Sequence, residues 1–293
     1  MKTKITSWAV RLLIGLLILL ALAYLVRSSL VPARTAGLFL DYAEGADWIP
    51  APQNPLFDGG NIEFAGYDPV QLAGPDMGEW EEMVIVSFSS DDRYEDFLKR
   101  IEAHQGLSRY NLSLFVPGYE QRMFANWMLR RDRENDSVNV DDRATIDEAI
   151  PANPHYVDRW KEIFAGAYRG ELVLLNFVSR NKDMGDAEGA EDAEELEKKY
   201  SKPAMRILGR MGAQLAALGS VEEVVVGPEP RQHDEYGFGH YPSVDAFEVV
   251  FTARGRLALV PARNKAMNAD RSVGYWLKPY APFKLNAGTR DAN

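Results

Sequence analysis

The chain has 293 residues, 46% of them hydrophobic, and a formal net charge of −10. That is enough apolar material for one or two cores. The charge argues against a nucleic-acid binder, which needs a basic stripe to neutralise phosphates. With no cysteine, disulfides and thiolate metal sites are excluded.

The first feature is LLIGLLILLALAYLV, residues 12–26, uncharged and apolar throughout. Lys2, Lys4 and Arg11 precede it, and Arg27 and Arg34 follow. Extended back to Trp8, it approaches the ~20 residues that span a bilayer. The positive flank is N-terminal, which predicts an inside N-terminus and an extracytoplasmic remainder. Ala21-Leu22-Ala23 also fits a small-x-small cleavage site, so residues 1–26 read either as an anchor, with membrane contact through 8–26, or as a signal peptide cleaved near Ala23. Both readings export the chain to the periplasm.

Residues 27–80 are rich in Pro, Gly and acidic groups and read as a linker, with a strand at 61–66, NIEFAG. MVIVSF (83–88) is a short buried strand that stops at Ser89-Ser90. DDRYEDFLKRIEAH (91–104) carries Tyr94, Phe97, Leu98 and Ile101 on one helical stripe. LSLFVPG (112–118) is a strand, RMFANWMLRR (122–131) its hairpin partner, and NPHYVDRWKEIFAGAY (153–168) a helix.

The same order then recurs. ELVLLNF (171–177) is a strand and 200–219 a helix. VEEVVVGPEPR (221–231) and EYGFGHY (235–241) form a hairpin, 243–260 is helical, and VGYWLKPY (273–280) closes the unit. Phe88 aligns with Phe177 at an offset of 89; Gly118 with Gly227 and Arg122 with Arg231 at 109. The difference is accounted for by a low-complexity acidic insertion at 181–200. The predicted fold is α+β: two tandem ferredoxin-like β-α-β-β-α-β units, 81–170 and 171–293, packed as a pseudo-dimeric α/β barrel behind an N-terminal transmembrane helix.

Asn176-Phe177, Gly227, Asp234-Glu235-Tyr236 and the run Tyr241-Pro242-Ser243 to Ala246-Phe247 carry a resemblance. In these residues the chain resembles the dimeric α/β-barrel superfamily, and within it the bacterial domain of unknown function 1330 family. The resemblance implies the barrel fold. It is nearly silent on activity, although the superfamily includes cofactor-free monooxygenases, isomerases and haem enzymes.

Alternation on EYGFGHY places Tyr236, Phe238 and His240 on one face and Gly237, Gly239 and Tyr241 on the other. Two glycines on one strand face leave room for something close by, so a ligand pocket is expected there, or around His240. A tightly packed helix over the glycines is the competing expectation. Asn176 and Asn126 interrupt apolar runs, Arg180 follows the strand, and Trp127 and Tyr236 align at an offset of 109. These six residues, Asn126, Trp127, Asn176, Arg180, Tyr236 and His240, are the candidate ligand site. His104, His155 and His233 read as surface or capping residues. No metal motif, nucleophile elbow, phosphate loop or dinucleotide fingerprint occurs, so neither a metal nor a cofactor is expected. Two functions follow: a membrane-anchored small-molecule-binding or scaffolding protein, with a protein partner or a homo-oligomer as further partners, or a small-molecule enzyme of monooxygenase or isomerase type.

Overall fold

The computed structural model describes residues 32–47, 49–135, 137–150, 156–181, 193–227, 233–268 and 271–280. Among the described residues, eight strands are interspersed with helices along the chain. The first half contains β1 (Arg34–Tyr42), β2 (Asn61–Ala73), β3 (Glu82–Phe88), α1 (Asp91–Ala103) and β4 (Leu107–Pro117). The helices α2 (Tyr119–Asp132), α3 (Ile146–Ala149) and α4 (Val157–Ala165) connect the halves. The second half contains β5 (Leu172–Val178), α5 (Ala193–Arg210), β6 (Gln214–Val226), β7 (Glu235–Tyr241), α6 (Val244–Thr252), α7 (Arg254–Leu257), α8 (Val260–Ala266) and β8 (Val273–Pro279).

The strands close into one barrel in the order β1-β3-β2-β8-β5-β7-β6-β4. Every neighbouring pair is antiparallel. Cut at the β2–β8 and β4–β6 seams, the halves read 4-1-3-2 and 8-5-7-6, the same split pattern twice. The interior is packed, not open: Phe39, Phe115, Phe177, Tyr236, Phe238 and Tyr275 belong to one buried cluster contributed by both halves.

The frame of the repeat differs from the one the sequence suggests. Residues 34–42, expected in a linker, form β1, and β2 runs well past 66 to Ala73. Ala36 and Gly37 dilute the apolar run, and two short 3-10 turns, Ala51–Gln53 and Pro55–Phe57, stand where a helix would have announced the missing strand. With β1 in place, β3 is equivalent to β7 and not to β5. The corners VSFSSDDRY and GHYPSVDAF are therefore the repeat, at an offset of 153. Ser90 caps α1 by accepting from the Arg93 N–H, and Ser243 caps α6 by accepting from the Ala246 N–H. The offsets of 89 and 109 have no counterpart in the strand order.

Three further elements depart from expectation. Residues 122–131 are helical within α2, because Ala125, Asn126, Leu129 and Asp132 recur at helical spacing on its buried side. The helix expected over 200–219 starts at Ala193, inside the acidic insertion, and ends at Arg210. Gly212 (φ 77°) takes a left-handed conformation there that returns the chain as β6. The helical region at 243–260 breaks into α6, α7 and α8.

No helix among the described residues is long and apolar enough to cross a membrane. The anchor or signal expected at 1–26, His155, Arg231 and most of the acidic insertion lie outside the described residues.

Candidate functional site

The outer faces of the two halves are covered differently, and register explains why. In the first half β1 pairs with β3 so that Leu38 lies opposite Val84 and Ala36 opposite Val86. These side chains join Phe57, Phe97 and Ile101 in a filled cluster under α1 and the two 3-10 turns. In the second half the equivalent pairs are Asn176 opposite Gly237 and Leu174 opposite Gly239. Two valines are replaced by glycines and a leucine by an asparagine. A Cβ placed on Gly237 would meet only Leu218 Cδ1, at 3.7 Å.

The space so left is a cavity of about 320 Å³. Its floor is the outer face of the second-half sheet: Leu174, Asn176, Val178, Gly237, Gly239 and Gly274. Trp160 of α4, Leu208 of α5 and Phe247 and Val250 of α6 supply apolar walls. The volume falls in the range of small-molecule sites, roughly 300–1,000 Å³. Trp160 is 5% exposed and stacks on Phe251 at 4.7 Å. Its indole N–H, buried beside the cavity, has no acceptor among the described residues. The Asn176 side chain makes no hydrogen bond among them either.

One wall is cationic. Tyr200 of α5, Arg256 of α7 and Arg263 of α8 meet there. The Arg263 guanidinium lies 5.8 Å from the Tyr200 ring centroid and donates from Nη2 to Asn264 Oδ1 at 2.9 Å. Burial alone would raise the Tyr200 pKa, but the two guanidiniums outweigh it and hold it below the ordinary phenol value. Arg256 is 8% exposed and donates from Nη1 to the Phe251 carbonyl at 3.2 Å.

The six candidates divide. Asn176, Arg180 and Tyr236 reach the cavity. Arg180 stands at its edge, with Nη2 donating to Glu235 Oε1 at 2.8 Å and its backbone N–H to Asp234 Oδ2 at 2.8 Å. Tyr236 belongs mainly to the barrel interior, where it stacks on Phe115 at 4.0 Å. His240 points away from the glycine face. Its Nε2 lies 3.2 Å from Glu171 Oε2, and burial lowers its pKa against the pull of that carboxylate. Trp127 does not join the site: it is 56% exposed on α2, stacked against Phe124. Asn126 does not join it either, being bonded to the Leu215 backbone. Both displacements follow from the segment being helix rather than strand.

His233, expected on the surface, is buried and stacks on Phe177 at 5.0 Å. His104 accepts the Gly106 N–H on Nδ1, a local cap. Sequence reasoning missed Tyr200, Arg256 and Arg263, which come from three helices and share no spacing. Among the described residues no group of three His, Asp or Glu side chains is placed to hold a metal.

No protein-family model matches the chain. No curated protein sequence matches it. Three solved structures are similar in part. A protein of unknown function from Rhodopseudomonas palustris is 23% identical over 43% of this chain and 94% of its own, with a TM-score of 0.38. A protein from Lactobacillus acidophilus provisionally named a monooxygenase is 12% identical over 85% of this chain and 94% of its own, with a TM-score of 0.39. An anthrone oxidase-like protein is 10% identical over 85% of this chain and 91% of its own, with a TM-score of 0.40.

Proposed function

We propose that the protein binds a small, largely apolar molecule in the cavity of its second half. The observation that carries this reading is the exchange of Val84 and Val86 in one half for Gly237 and Gly239 in the other. Glycine in a strand interior costs stability and contributes no packing. Two of them facing a cavity of about 320 Å³ are accounted for if the missing side-chain volume belongs to a ligand. Apolar walls supply the driving force, and the amide of Asn176 and the indole N–H of Trp160 supply the few polar contacts that orient a guest.

The experiment is native mass spectrometry of the full-length protein, purified from its own host without stripping. A discrete added mass that disappears in Gly237→Val supports the reading. A clean protein mass that stays clean after incubation with a panel of neutral apolar compounds overturns it.

The apolar segment at 8–26 motivates a second proposal, that the barrel is held at the outer face of a membrane. Alkaline carbonate extraction tests it. Retention of the intact chain in the membrane pellet supports an anchor, and a soluble chain starting near Ala23 supports cleavage instead.

A further inference from the structure

Helix α2 is built inside out. Its buried side carries Ala125, Asn126, Leu129 and Asp132, while Met123 is 70% exposed, Phe124 58% and Trp127 56%. A surface helix ordinarily turns its large apolar residues inward and its polar ones outward. Phe124 and Trp127 stack on each other at 5.8 Å, in solvent. Val116, near the end of β4, is 51% exposed as well. Among the described residues these four are the most exposed large apolar side chains, and all fall within 116–127. Single exposed apolar residues are ordinary, but a group of them marks an interaction surface.

The place of α2 in the fold points to what covers it. β1 pairs antiparallel with β4 so that Thr35 lies opposite Phe115, and α2 follows β4 directly after Gly118. Thr35, Tyr119 and Arg122 line one cleft. The chain therefore enters β1 at the same end of the barrel at which it leaves β4 for α2. Residues 27–33 alone separate the apolar segment from β1, a span of at most about 30 Å. Trp127 lies about 12 Å along the helix from Tyr119. A bilayer holding residues 8–26, as proposed above, lies close to the end of the barrel that α2 occupies.

The side chains suit a bilayer surface. Indole rings favour the headgroup level, where an apolar body meets water. Arg131, 3.5 Å from Asp132 Oδ1, holds its guanidinium 5.5 Å from the Trp127 ring centroid. An arginine beside an interfacial tryptophan reaches lipid phosphate while its stem stays in apolar surroundings. The exposed charges of α2 are Glu120, Arg130 and Arg131, a small positive excess on a chain of net charge −10. We propose that Met123, Phe124 and Trp127 dock on the surface of the bilayer that holds residues 8–26, a second membrane contact that fixes the orientation of the barrel. This rests on the membrane reading of 8–26 and is independent of the cavity reading.

The sequence has no cysteine, so one introduced thiol takes one fluorescent label. Full-length Met123→Cys and Glu44→Cys are labelled and reconstituted into vesicles of phosphatidylcholine with about one-quarter phosphatidylglycerol. The vesicles also contain a lipid with a nitroxide quencher near the top of its acyl chain. Glu44 is exposed beyond the far end of β1 and serves as the reference. Quenching at 123 should exceed that at 44 by at least about threefold, since an interfacial face sits roughly 5–10 Å into the headgroup boundary. Adding Trp127→Glu, which alters only an exposed side chain, should bring the ratio below about 1.5 while the chain stays with the vesicles. Equal quenching at 123 and 44 in a vesicle-bound chain overturns the docking and leaves the anchor standing. A ratio that survives Trp127→Glu shows that the tether alone brings the helix near lipid, and overturns the docking too. A label at 123 that is already shielded in detergent, in a particle of two chains, puts a second copy on the patch and overturns the bilayer as its occupant. A chain that does not float with the vesicles overturns both docking and anchor.

Discussion

Asn126 and Leu215 exchange two hydrogen bonds across the join between the halves. Asn126 Nδ2 donates to the Leu215 carbonyl at 2.9 Å, and the Leu215 N–H donates to Asn126 Oδ1 at 2.7 Å. β4 pairs with β6 only as far as Gly219, so Leu215 has no strand partner on that side. The side-chain amide on α2 takes the place of a peptide unit there. Nearby, Arg122 Nη1 donates to the Ala216 carbonyl and the Gly118 N–H to that of Leu218, completing the substitute edge. Asn126→Ala leaves a donor and an acceptor unpaired at the α2–β6 contact. The expected loss is about 2–4 kcal/mol of unfolding free energy, read by denaturant titration. A loss under about 0.5 kcal/mol would show that water satisfies the strand end.

Gly237→Val copies the filled half into the empty one. A Cβ there meets nothing closer than 3.7 Å, and valine suits a strand better than glycine by about 1 kcal/mol. The variant should unfold at an equal or higher temperature while losing the cavity ligand. A destabilised variant that still binds would place the ligand elsewhere.

Glu82 is fully buried in β3 and accepts hydrogen bonds from the Ala51 N–H at 3.1 Å, the Tyr42 hydroxyl at 2.6 Å and the Tyr280 hydroxyl. Burial raises its pKa, and the hydrogen bonds only partly offset that. The folded protein therefore holds this proton to higher pH than the unfolded chain does. The resulting stability is fully present below the unfolded value, about 4.3, and is lost as pH rises through the folded one. In Glu82→Gln, melting temperatures measured across that interval should fall less steeply with rising pH than those of the native protein.

His240 works in the opposite sense. Its pKa is lowered by burial, with the Glu171 contact opposing, so the folded state binds this proton less readily than the unfolded chain. Stability from this group is present above the unfolded value, about 6.5, and is lost as pH falls below it. His240→Gln should flatten that acid-side decline without changing affinity for a cavity ligand, since the ring lies off the glycine face. A parallel loss of binding would return His240 to the site.

Period-two alternation was enough to find the glycine face of β7 and the polar break at Asn176, because a half-buried strand writes its two faces alternately into the chain. It failed at β1, where Ala36 and Gly37 thin the apolar signal and the following 3-10 turns give no helical period. The reading of 122–131 as a hairpin partner also failed, because α2 sets its buried side at helical spacing through contacts with β6. The cationic wall could not be read at all. Tyr200, Arg256 and Arg263 are brought together by the break of one helical region into α6, α7 and α8, a tertiary event with no local signature.

The β2–β8 and β4–β6 seams lie within one chain. A barrel closed by two identical subunits would fall apart on dilution and would have to carry any cavity in duplicate. Covalent linkage removes both constraints. Here the half with α1 serves as a solid buttress, and the half with Gly237 is free to stay hollow. For the guest proposed above, the stoichiometry to expect is one per barrel.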